Sequence, residues 1–493
     1  MSIMQELRGL LRLRALQLLA LSSLVTLMAA LAFRSHTTVR DPDIWWHLKV
    51  GDWIVEHHTV PYTGIFSRTA ATHPWVAYSW AYEVLMSRAY AWFGLIGFAL
   101  YGVLLTMAVT FVLFWMLHRL SGRFWTAWIL ALVGSFAFVF SLNPRPVFVT
   151  MILFTVMLTL LLEAQRSGQI QMLYWLPLLF VVWANVHIQF LYGLAVVGLF
   201  VGINLLQRMA MWAGVHGDWL PASTLPIRGL MGILVGSLAA TCIGPYTYHL
   251  YRVVRAYSNS HVPYIIIQEL SAADFRFFTH YVLLLLTAAA FFALGWQRKL
   301  DLFKLSLLTV ASVVAFRTQR DAWFVSICAV AFIADLGPEE DGVTPVLKLP
   351  DLAAVVAAVA IFVFLAAANL GFNYRDLDRA ISQQYPVNAV NFLRSNPVPG
   401  PLYNDLGWGG FLIWYMPQYP VVVDGRNDLY GDELDALTYN SAAGSSYTSD
   451  PYLNESGVLL LPKKMPLANI LSIDSRFRLI YQDQVAVVFV RRQ

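Results

Sequence analysis

Two carboxylates and an imidazole fall within the seven residues Asp41-Pro42-Asp43-Ile44-Trp45-Trp46-His47, shortly after the first long apolar run. At a membrane boundary a carboxylate can take a proton from a hydroxyl, because desolvation lifts its pKa towards the working range. Asp41, Asp43 and His47 are therefore candidates for chemistry, His47 as a cavity residue. Pro42 removes a backbone donor and biases Asp41 away from helix, so both acids are expected in a turn before a helix over 44–54. Trp46, Trp53 and Ile54 recur near a seven-residue period. That spacing predicts an apolar stripe in the lipid interface, with the acids facing a cavity. The competing reading makes Asp43 an N-cap and the tryptophans a membrane belt.

Arginine supplies the second set. Arg145 sits in Asn143-Pro144-Arg145-Pro146, and Arg317 and Arg320 in Arg317-Thr318-Gln319-Arg320-Asp321, each beside an apolar run. Ionisable groups at membrane depth face a cavity, pair with a carboxylate or bind a charged ligand. The planar guanidinium fork suits phosphate. At a spacing of three, Arg317 and Arg320 are expected on one helix face. The alternatives are snorkelling to headgroups or an Arg320–Asp321 pair. In Asn185-Val186-His187-Ile188-Gln189, a short span interrupted by Pro177 would draw His187 below the membrane surface. There it is a candidate cavity residue, the alternative being a structural histidine in a tight turn. Segment 244–280 adds Pro245, Tyr246, Tyr248, Asp274 and Glu269, the last its candidate active carboxylate. A divalent cation between Asp41 and Asp43 is a candidate cofactor, although the ligand spacing does not establish one.

The elements that carry these residues follow from composition. Over 493 residues, 58% hydrophobic and 13% charged, with a mean hydropathy of +0.59, a soluble domain is excluded. A net charge of +4 argues for neither nucleic acid nor an acidic partner. Cys242 and Cys328 lie in apolar runs and read as packing residues. Apolar runs at 15–33, 93–117, 124–142, 147–162, 170–184, 188–206, 229–243, 281–296, 302–316, 322–336 and 352–370 predict about eleven spans. With the N-terminus inside, the inner segments hold Arg8, Arg12, Arg14, Arg119, Arg123, Arg166, Arg208, Arg298, Lys299, Lys304 and Lys348. The odd count then places the Asp41 loop and the tail on the same outer side, where they can meet.

The expected class is therefore mainly α. A polytopic helical bundle fills 1–370, with a first outer loop at 34–91, and a small extracytoplasmic α/β domain fills 371–493. In that domain strands are expected near 401–403, 420–423, 458–461, 478–482 and 485–490, and helices at 386–393 and after Gly410. Asn404-Asp405-Leu406-Gly407-Trp408-Gly409-Gly410 and Asp424-Gly425-Arg426-Asn427-Asp428 each follow a predicted strand, where α/β domains gather ligand groups. The glycines also serve plain turns. Neither stretch has the spacing of a phosphate-binding glycine fingerprint.

Together these features resemble the GT-C superfamily of membrane glycosyltransferases, and more closely a group of bacterial GT-C-like integral membrane proteins. The resemblance rests on Asp41 to Leu48, Gly51 to Ile54, Val60-Pro61, Phe66-Ser67 and Trp75 to Glu83, which look like the first loop of that group. It continues in Arg145-Pro146, Asn185-Val186-His187, Gly244-Pro245-Tyr246, Glu269, Arg317 to Arg320, Trp408-Gly409-Gly410 and Asp424-Gly425-Arg426. It implies a polyprenyl-phosphate-linked sugar donor, a glycan, lipid or protein acceptor, and inversion at the anomeric carbon. Asp43 or Asp41 would be the base, Arg317, Arg320 and Arg145 would hold the donor phosphate, and Glu83, Asp405, Trp408, Asp424 and Arg426 would join the substrate cavity. The bacterial cytoplasmic membrane is the implied location. One departure stands out: the chain has Thr63-Gly64-Ile65 where such proteins place an aspartate before the Phe-Ser pair. Competing classes are a lipid or glycan flippase and a non-catalytic scaffold of an envelope machine.

Overall fold

The computed structural model describes residues 16–31, 37–138, 145–214, 223–297, 299–336 and 373–492. The chain divides into two compact units. One comprises Met1–Ser35, Gly102–Gly244 and Glu269–Phe372, the other His36–Tyr101, Pro245–Gln268 and Asn373–Gln493. The linear boundary expected at 370 is thus replaced by an interleaved one: the first loop and the 245–268 segment fold with the tail.

The first unit is helical. Ten of the eleven predicted runs fall on helices, among them Val147–Ser167, Phe190–Trp212 and Phe278–Trp296, which are long and apolar enough to cross a membrane, as is Trp80–Ser121. Leu16–Leu31, Phe124–Phe138, Gln171–Val186 and Ile227–Ala240 are shorter apolar helices. The run at 352–370, with Arg8, Arg12, Arg14, Arg298 and Lys348, lies outside the described residues. Ala322–Ala334 is the innermost helix, with only Ile333 of its residues not buried. Small residues let neighbours approach it: Ser326 Oγ donates to the Gly134 carbonyl at 2.9 Å, and a β-carbon on Gly134 would touch Val330 at 3.0 Å. Close packing between spans relies on such residues, since lipid supplies no hydrophobic drive for it.

The second unit joins the loop to an α/β layer. Its sheet has the order β1-β2-β4-β3, with β1 Leu402–Asn404, β2 Val458–Pro462, β3 Phe477–Gln482 and β4 Ala486–Arg491. β1 pairs parallel with β2, whereas β4 runs antiparallel to β2 and β3. The parallel step requires a crossover, which carries helices Leu406–Tyr415 and Asn427–Ala442. Helix Asp43–His57 lies against Leu406–Tyr415 so closely that a β-carbon on Gly410 would stand 2.5 Å from the Pro42 carbonyl oxygen. Residues 420–423, expected as a strand, instead make one isolated bridge between Val421 and Ser67. Their partner is the first loop rather than the sheet, with Arg68 N–H donating to the Val421 carbonyl and Val421 N–H to that of Phe66.

Candidate active site

In the second unit, the loop and the tail contribute to one cluster. The helix that carries Asp43 begins at that residue, and no side chain from its N-cap, Pro42, caps it. Instead Asp41 Oδ1 accepts the Asp43 N–H at 3.0 Å. The capping role considered for Asp43 therefore belongs to Asp41, and Asp43 Oδ1 accepts from the Trp46 indole at 3.2 Å. Trp46 is buried, 6% exposed, so it cannot lie in the lipid interface as the seven-residue stripe predicted. It faces Trp75 edge-on, with ring centroids 6.3 Å apart.

One turn further on, His47 Nδ1 and Glu83 Oε1 stand 2.9 Å apart, both buried. Among the described residues the second Glu83 oxygen has no hydrogen-bond partner. From the tail, Gly425 reaches Asp43: a β-carbon there would lie 1.8 Å from Asp43 Oδ1. Arg426 is fully buried and forked onto Asp424, with Nε 2.8 Å from Oδ1 and Nη2 2.7 Å from Oδ2. It also donates to the Ile65 carbonyl at 2.9 Å and lies over the Trp75 ring at 4.8 Å. Tyr430 donates to Asp424 at 2.5 Å. Asp424 is thus saturated and serves to hold Arg426, which in turn ties the tail to the loop.

Asp428, quoted in the Asp424–Asp428 stretch but not assigned to the site, accepts from the Trp75 indole at 3.1 Å. Desolvation pushes its carboxyl up to about 7, against the pull of Arg426. Only its four-residue spacing from Asp424 across an arginine pointed to it. Asp405 caps helix Leu406–Tyr415 by accepting from Gly407 N–H at 3.0 Å. Desolvation pushes it up to about 6. It lines a separate cavity of about 280 Å³ with Asn404, Thr438, Tyr439, Leu461 and Met465, at the carboxyl ends of the parallel strands. Trp408 is buried and donates to the Gln384 carbonyl at 3.2 Å. It is not among that cavity's lining residues.

The first unit carries a second cluster. Arg145 pairs with Glu269 at 2.5 Å. Burial alone would raise the Glu269 carboxyl, but the guanidiniums of Arg145 and Arg320 hold it below its ordinary value. Asp321 does not simply pair with its neighbour Arg320. It is buried and accepts from Gln189 at 2.8 Å and Tyr192 at 2.9 Å, and desolvation raises it despite Arg320. Thr150 Oγ1 stands 2.8 Å from His187 Nδ1 and accepts from the Trp183 indole at 2.8 Å. Arg317 departs from expectation. Its helix ends there, Thr318 is extended at φ −138° and ψ 108°, and Arg320 lies in the following short 3₁₀ turn. The two arginines therefore share no helical face, and Arg317 is exposed. Among the described residues no three His, Cys, Asp or Glu side chains gather as metal ligands, and Asp41 Oδ1 is already committed to a backbone amide.

No family model matches the chain, and no curated protein sequence matches it. Solved structures similar to it include two from different organisms. One is the archaeal oligosaccharyltransferase AglB from Archaeoglobus fulgidus, in complex with an inhibitory peptide and a dolichol-phosphate. It is 10% identical with a TM-score of 0.49 over 95% of this chain and 74% of that one. The other is ArnT from Cupriavidus metallidurans bound to undecaprenyl phosphate, 13% identical with a TM-score of 0.44 over 94% of this chain and 97% of that one. The helices and the sheet define this chain as a multi-pass membrane protein with a small C-terminal α/β layer.

Proposed function

We propose that this protein is a GT-C-type glycosyltransferase of the bacterial cytoplasmic membrane. It moves a sugar from a polyprenyl-phosphate donor to a glycan, lipid or protein acceptor at the extracytoplasmic face. The observation that carries the reading is the cluster of half-buried Asp43 and Asp428 with buried His47, Glu83 and Arg426, drawn from two segments far apart in sequence. Carboxylates in desolvated surroundings next to an imidazole are suited to proton transfer. Asp43 takes the proton of the acceptor hydroxyl, whose oxygen forms the new bond to the anomeric carbon. The bond from that carbon to the phosphate oxygen breaks, and inversion follows from attack on the opposite face. The electron pair leaves with the polyprenyl phosphate.

The test is Asp43→Asn. An asparagine oxygen can still accept from Trp46, yet it cannot take a proton. The variant should fold and bind donor while transfer of labelled sugar falls by about a hundredfold or more, the usual worth of general-base catalysis. Unchanged turnover in both Asp43→Asn and Asp41→Asn overturns the assignment. An intramembrane cluster of ionisable groups would also suit a flippase. A flippase would carry labelled lipid-linked sugar across vesicles without forming a covalent product.

A further inference from the structure

The cavity of about 280 Å³ at the ends of β1 and β2 takes no part in the transfer chemistry above, and its lining narrows what can fill it. Leu406, Ala442, Leu461 and Met465 supply apolar walls. Most of the side-chain donors around it are already spent. Asn404 Nδ2 donates to the Asp405 and Val423 carbonyls at 2.9 and 2.8 Å, and its Oδ1 accepts from Val422 N–H at 2.8 Å. The Thr438 hydroxyl donates to the Leu434 carbonyl at 2.9 Å, and the Tyr403 phenol to Asp450 Oδ2 at 2.9 Å. Among the described lining residues only the phenol of Tyr439, 51% exposed, keeps a side-chain donor free. Asp405 is the one charged group of the lining. Against burial it has only the backbone amides of Gly407 and Leu406, and no cation acts on it. A desolvated carboxylate without a counter-charge is costly. A neutral or anionic occupant leaves that cost in place, whereas a cation removes it.

We propose that this cavity binds a small organic ammonium ion with an apolar body, its charged head on Asp405 and its body against Leu406, Ala442, Leu461 and Met465. An ammonium group carries donors and no acceptor, which matches a lining that offers acceptors. A sugar ring would leave most of its hydroxyl oxygens without a donor. The volume lies just under the roughly 300–1,000 Å³ of pockets for drug-sized molecules, so the body is a single ring or a short chain. Asp405 thereby leaves the sugar cavity that the resemblance implied for it, and the site stands independently of the glycosyl-transfer reading.

Isothermal titration of the full-length protein in non-ionic detergent at pH 7.5 tests it. With its carboxyl raised only to about 6, Asp405 is ionised at that pH. Cyclohexylamine should bind saturably at one site. Cyclohexanol has the same body without the charge, and glucosamine has the charge on a hydroxylated ring. Each should bind about tenfold more weakly or worse, the least that a lost hydrogen bond to a charged group or a set of unpaired hydroxyls costs. Asp405→Asn removes the charge but keeps the helix cap, since Asn and Asp cap alike. It should weaken cyclohexylamine by roughly ten- to a hundredfold and leave the unfolding midpoint close to that of the wild type. Ala442→Leu keeps the carboxylate, fills the cavity and should weaken the amine comparably. If cyclohexylamine binds no better than cyclohexanol, or binds Asp405→Asn as it binds the wild type, the charged head has no seat on Asp405 and the proposal falls. Unchanged binding to Ala442→Leu would mean that the amine rests on a surface carboxylate, and the cavity role is lost. Glucosamine binding as tightly as cyclohexylamine overturns the apolar body.

Discussion

Gly425 is where the tail meets Asp43, and it tolerates no side chain. A β-carbon 1.8 Å from Asp43 Oδ1 and 3.1 Å from the Trp46 indole nitrogen would have to displace the Asp43–Trp46 pair. Gly425→Ala should destabilise the second unit by about 1–3 kcal/mol, the usual cost of overpacking, read as a lower midpoint in thermal unfolding. A midpoint equal to the wild type would show that the contact relaxes freely. Asp435 offers a test through pH. It is buried at 1% exposure, and among the described residues neither carboxylate oxygen has a hydrogen-bond partner. Desolvation, then the neighbouring Asp432, Asp424 and Asp428, push it up to about 7. A raised carboxyl favours the fold only while it is protonated. Below the unfolded value, near 4, both states hold the proton and the group is neutral to stability. Between there and about 7 the unfolded chain releases its proton and the folded one keeps it, so stability is lost with rising pH and levels off above. Asp435→Leu removes that loss. Its gain in unfolding midpoint over the wild type should grow from pH 4.5 to pH 7.5, and a gain independent of pH would rule the explanation out. Asp435 was not marked out by the sequence, because an acid in a helix looks the same whether it meets solvent or another segment.

At the scale of elements, the apolar helices were legible because a run long enough to cross a bilayer leaves few alternatives for its backbone. The start of the first-loop helix was legible only in part. Pro42 marked the boundary, but whether Asp41 or Asp43 capped it depended on which carboxylate the tail would claim. With Asp41 Oδ1 on the Asp43 amide, Asp41→Ala should cost about 1 kcal/mol and Asp41→Asn a few tenths at most. Equal unfolding midpoints for the two variants would refute the cap. The bridge at 421 and the break at Thr318 were opaque for a common reason. Each depends on a distant partner: Ser67 for Val421, and Ser271 for Gln319, whose N–H donates to the Ser271 carbonyl at 2.9 Å. Local patterning carries no trace of such partners, so a spacing of three was read as a continuous helical face where the chain instead turns.

The whole molecule adds a parity argument. Segments 36–101, 245–268 and 373–492 fold into one compact unit. The eleven spans expected from sequence put an even number of crossings between each pair of these segments, six between the first two and four between the second and third, with the run at 352–370 among the four. On that count all three would lie on one side of the membrane, and the bias of arginine and lysine would make it the extracytoplasmic side. Reporter fusions within 59–75, within 257–262 and after 373 should all behave as extracytoplasmic, and one after Leu336 as cytoplasmic. A split result among the first three would break the compact unit and with it the cluster around Asp43. A uniform cytoplasmic result would leave the cluster intact but move its chemistry to the other face, where the acceptor would have to be sought among cytoplasmic molecules.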